Sequence, residues 1–111
     1  MKRMLLIAGL VLAGGTAHAQ GQTYTGVFDG GKGKLVLNGN KASLSLSSST
    51  CFGQINNAAF TRNGDVITIT QPSEGQGSTC HVKLTVKGSK VINSQENGCM
   101  EWHGASCSFD G

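Results

Sequence analysis

The residues with the widest chemical repertoire stand together at the end of the chain. In "GCMEWHGASCSFDG", from Gly98 to Gly111, lie the single tryptophan (Trp102), two of four cysteines (Cys99, Cys107) and one of three histidines (His103). Three chemistries fit these types. Cys99, His103 and Cys107 are all possible zinc ligands, and Cys80-His81 could supply a fourth, but C-x3-H-x3-C is not a common zinc spacing. His103 with Ser106, or Glu101 with His103, would give a nucleophile-and-base pair. A serine-rich chain places Ser near His by chance, however, and paired carboxylates for glycoside hydrolysis need a cleft for which a small domain has little room. In the third chemistry the thiols oxidise, and the segment becomes a closed turn displaying Trp102, His103, the Gly104 amide and Ser106. The third fits an even cysteine count best, and no metal, cofactor or catalytic group is expected.

The compartment follows from the other end of the chain. "MKRMLLIAGLVLAGGTAHAQ" has a basic start at Lys2 and Arg3, an apolar run from Met4 to Ala13 and a small-x-small exit at Ala17-His18-Ala19. This is the pattern of a secretory signal peptide cleaved after Ala19. Its apolar core is shorter than the ~20 residues that span a bilayer, and no cysteine follows it to carry a lipid. A soluble periplasmic or secreted protein without membrane insertion is expected, with residues 20–111 as one domain. All four cysteines fall in that domain, where oxidising conditions preserve disulfides.

Removal of the leader also changes the charge. The whole chain carries +3, whereas the 92 residues after Ala19 hold seven Lys or Arg against six Asp or Glu. Lys32, Lys34, Lys41, Arg62, Lys83, Lys87 and Lys90 read as scattered along the chain. No nucleic-acid partner is expected, because such a surface needs concentrated cations with interleaved aromatics.

The elements that must position the closing segment show a period of two. Leu35 and Leu37, then Ala42, Leu44 and Leu46, then Cys80, Val82, Leu84 and Val86 alternate with polar residues, as half-buried strands do. "DGGKG", "NGN", "RNGD", "PSEGQGS" and "KGS" separate them as turns. The pattern predicts eight strands, roughly over 22–28, 33–38, 41–47, 52–61, 65–71, 79–87, 90–96 and 105–110. The fold class expected is all-β, a small antiparallel meander closing into a roughly eight-stranded barrel or flattened sandwich with two disulfides. The turn-like spacing around Gly104 favours Cys99 with Cys107, leaving Cys51 with Cys80. Chain entropy puts these closures at about 2.6 and about 3.6 kcal/mol.

The opening "YTGVF", the "CFGQI" and "CHVKLTV" strands and the closing "GCMEWHGASCSFDG" look like those of small exported bacterial proteins. The general plan resembles the disulfide-stapled barrels of the periplasmic lysozyme inhibitors of the MliC/PliC type. Their Ser-Gly-x-x-Tyr segment is missing, so no inhibitor residue carries over; "SSST" at 47–50 and "WHGAS" at 102–106 could only play analogous parts. The resemblance implies a rigid barrel presenting loops to a protein partner. The expected function is therefore a non-enzymatic binding protein, an inhibitor of a hydrolase such as lysozyme, acting through the disulfide-closed loop 99–107 with Trp102, His103, Gly104 and Ser106. The neighbouring "RNG" and "SSST" turns are candidates to join it. Two other readings compete: an envelope protein without a tight partner, its Trp102 buried as a plug, and a barrel holding a small ligand. The oligomeric state is not legible.

Overall fold

The computed structural model describes residues 21–111, and the leader reading falls outside them. Seven strands follow in order: β1 Gln22–Phe28, β2 Gly31–Asn38, β3 Lys41–Ser47, β4 Phe52–Asn63, β5 Val66–Gln71, β6 Cys80–Lys87 and β7 Lys90–Asn97. Each pairs antiparallel with the next, and β1 meets β7 to close a barrel. Alternation does what the sequence indicates: in β3 Ala42, Leu44 and Leu46 point inward, and in β6 Cys80, Val82, Leu84 and Val86 do so. Side chains fill the interior, with Leu35, Leu44, Ile55, Ile67, Ile69, Leu84 and Phe109 fully buried.

Three tight hairpin turns lie at one end of the barrel, beside the start of β1. Gly39, Gly64 and Gly88 adopt φ of 64°, 63° and 61° there, the left-handed conformation that tight hairpins demand. Tyr24 lines the wall at this end, and its hydroxyl accepts a 3.0 Å hydrogen bond from Arg62 Nη1. The other end receives the β1–β2 turn, the Ser48–Cys51 loop, the 72–79 loop and the closing segment.

The expected eighth strand is the point of departure. An up-and-down meander of seven strands brings its first and last strands together parallel, and that seam is a single bridge, Thr25 to Lys90. Beyond it the closing segment wedges into the gap. Ser94 and Gly111 exchange reciprocal backbone bonds of 2.9 Å, and Asp29 donates to the Asp110 carbonyl while accepting from the Ser108 amide. Cys107 and Phe109 face inward and Asp110 outward, so residues 105–110 keep strand-like alternation without forming a ladder. Two edges already hold the wedge, which leaves no continuous partner strand for it.

The disulfide pairing differs from expectation. Cys80 is bonded to Cys99, and Cys51 to Cys107. The β6–β7 register, with His81 opposite Asn97, carries Cys99 back alongside Cys80, at a Cα separation of 4.5 Å. Loop 99–107 is therefore not closed upon itself: its first cysteine is tied to the barrel wall, its last to the loop before β4.

Candidate functional site

The closing segment leaves β7 through Gly98, whose φ of 77° turns the chain across the barrel mouth. A Cβ at Gly98 would meet the Thr79 carbonyl oxygen, so glycine is required by space as well as by angle. A short 3-10 turn, Met100–Trp102, follows. It is held on one side by Glu101, whose carboxylate accepts from the Ser73 hydroxyl at 2.6 Å and the Glu74 amide at 2.8 Å. The Ser73 hydroxyl, then the Glu74 amide, keep the Glu101 carboxyl below its ordinary range. On the other side His103 forms a backbone bridge to Gly53, and the Gly104 amide donates to the Phe52 carbonyl at 3.0 Å.

His103 is the centre of this region. Its side chain is only 3% exposed, and its ring meets Phe109 edge-on with centroids 5.4 Å apart. Nδ1 lies 2.7 Å from the Gly104 carbonyl oxygen, and Nε2 lies 2.9 and 3.0 Å from the two carboxylate oxygens of Glu96. Both ring nitrogens thus face acceptors, an arrangement that the protonated ring, paired with Glu96, satisfies in full. Burial works against that charge, yet the Gly104 carbonyl, Glu96 and Asp110 outweigh it and raise the His103 pKa above its ordinary value. Glu96 also accepts the Phe109 amide at 2.6 Å, so one carboxylate anchors both His103 and the wedge.

The remaining sequence candidates divide between inside and outside. Trp102 is half-buried against the core, with its indole N–H enclosed and without a partner among the described residues. Gly104 has its amide engaged, and Ser106 is exposed. Glu101 does not orient His103; Glu96 does, and nothing in the sequence singled it out. A bulge where Thr85/Asn93 passes to Val86/Val91 shifts the phase of β7, turning Ser94 and Glu96 inward behind the two consecutive exposed residues Ile92 and Asn93. Both ring nitrogens of His103 are engaged, by Gly104 and Glu96, and neither is paired with Ser106. With every thiol in a disulfide, His103 has no thiolate co-ligand.

Two large apolar side chains remain at this end. Phe52, which opens β4 beside the turn, is 68% exposed, and Met100, in the turn itself, is 71% exposed. The "SSST" loop adjoins Phe52, whereas the "RNG" turn lies at the opposite end of the barrel and shares no surface with it. No protein-family model, curated protein or solved structure matches the chain.

Proposed function

We propose that this is a non-catalytic, exported binding protein, periplasmic or secreted, which presents the wedge end of its barrel to a protein partner of the lysozyme type. Phe52 and Met100 carry the reading: exposed apolar side chains of this size, one opening β4 and one in a closing segment fixed by two disulfides and an ion pair, make a ready contact. Aromatic and Met side chains are enriched at protein interfaces, and a segment already ordered loses little freedom on binding. Ser106 and the "SSST" hydroxyls supply hydrogen-bonding groups around them. The filled interior leaves the outer surface as the place for recognition.

The two disulfides favour an oxidising, non-cytoplasmic compartment, as such a partner would require. The test is a cell-wall lysis assay against several lysozyme types. Inhibition of at least one is expected, and its absence with all of them would remove this partner class.

A further inference from the structure

Five of the seven cations among the described residues are gathered in space. Lys32, Lys34, Lys83, Lys87 and Lys90 all point outward from four adjoining strands, β6, β7, β1 and β2. Pairing places Lys87 opposite Lys90, Lys90 beside Thr25, Thr25 opposite Lys34, and Val27 opposite Lys32. No carboxylate shares this face: Asp29, Asp65, Glu74, Glu101 and Asp110 lie in turns, loops or the closing segment, and Glu96 is turned in toward His103.

Among these lysines stand two aliphatic side chains, Val27 at 72% and Ile92 at 58% exposure. They border a groove of about 660 Å³ that also contacts Thr25, Gly26, Lys32 and Lys90. Lys87 directly opposite Lys90 is an arrangement that weakens a hairpin. Such local conflicts are expected where function demands them.

We propose that this face docks on an anionic phospholipid bilayer, its lysines meeting headgroup phosphates while Val27 and Ile92 enter the boundary between headgroups and acyl chains. Ammonium groups near an anionic leaflet attract additively, and exposed aliphatics add apolar contact. The face has no arginine and no Phe, Tyr or Trp, the groups that grip nucleic acid by forked hydrogen bonds and stacking. This docking is peripheral, on the outside of the barrel, and does not use Phe52 or Met100.

The test is co-sedimentation of the protein, purified after export with its N-terminus verified by mass spectrometry, with phosphatidylcholine vesicles with or without phosphatidylglycerol. Binding is expected only with phosphatidylglycerol, falling about tenfold or more in Lys32→Glu/Lys90→Glu and at high salt. Val27→Ser/Ile92→Ser is expected to weaken it at low and high salt alike. Lys41→Glu, on β3 outside the face, should leave it unchanged. Failure to sediment with phosphatidylglycerol vesicles, or an equal loss in Lys41→Glu, would overturn the proposal. So would equally strong binding of a single-stranded oligonucleotide that ignores Val27→Ser/Ile92→Ser, which would indicate a polyanion site.

Discussion

At the scale of single residues, His103 illustrates how a chemically versatile side chain becomes structural. Its ring is enclosed, and its two nitrogens are engaged by the Gly104 carbonyl and the Glu96 carboxylate. Because its pKa is raised in the folded protein, the stability it contributes is complete below the unfolded value of about 6.5 and is lost as pH rises through the folded value. Urea midpoints should therefore fall as pH rises above about 6.5, and His103→Gln should flatten that part of the profile. Replacing Glu96 with Gln leaves a buried cation without its counter-ion and should cost about 3 kcal/mol in chemical denaturation. The sequence revealed that His103 was unusual but not why, since its partner depends on a bulge that no residue type announces. Lone solvent-facing donors were expected at His103 and Gly104; both are engaged within the molecule.

At the scale of elements, the alternating runs made six hairpin-linked strand pairs legible, because one-sided burial imposes a period of two on strand and sequence alike. The last element, expected as a strand over 105–110, keeps that alternation at Cys107 and Phe109 without a ladder. Alternation reports which side of an extended segment is buried, not whether a ladder accompanies it. The cysteine pairing was legible in principle: a hairpin folded about Gly88-Ser89 sets Cys99 alongside Cys80 whatever the spacing to Cys107. At sequence separations of 19 and 56, chain entropy attributes about 3 kcal/mol to Cys80–Cys99 and about 4 to Cys51–Cys107. The Cys51→Ala/Cys107→Ala variant should accordingly melt below Cys80→Ala/Cys99→Ala. Phe109→Ala, which empties the core beneath the wedge, should cost about 4 kcal/mol in urea unfolding.

At the scale of the whole molecule, the barrel presents three distinct regions. The hairpin end closes the fold, the wedge end binds its own closing segment at the base while exposing Phe52 and Met100 at the rim, and the lysine face runs along the seam between them. Neither the rim nor the lysine face could be read from one dimension, because each gathers residues from strands distant in sequence. Phe52 drew no notice as an ordinary strand residue, and five lysines looked dispersed until barrel closure set β7 against β1. The division implies that base and rim respond differently to substitution: His103→Gln should lower stability, whereas Phe52→Ser/Met100→Ser should leave the melting temperature unchanged and act on binding alone. The most direct measurement is the inhibition constant of Phe52→Ser/Met100→Ser beside the unaltered protein, against a lysozyme that the unaltered protein inhibits. Loss of the two apolar anchors should weaken inhibition about tenfold or more with no change in melting; equal inhibition by the two forms, or no lysozyme inhibited at all, would contradict the rim as the binding surface.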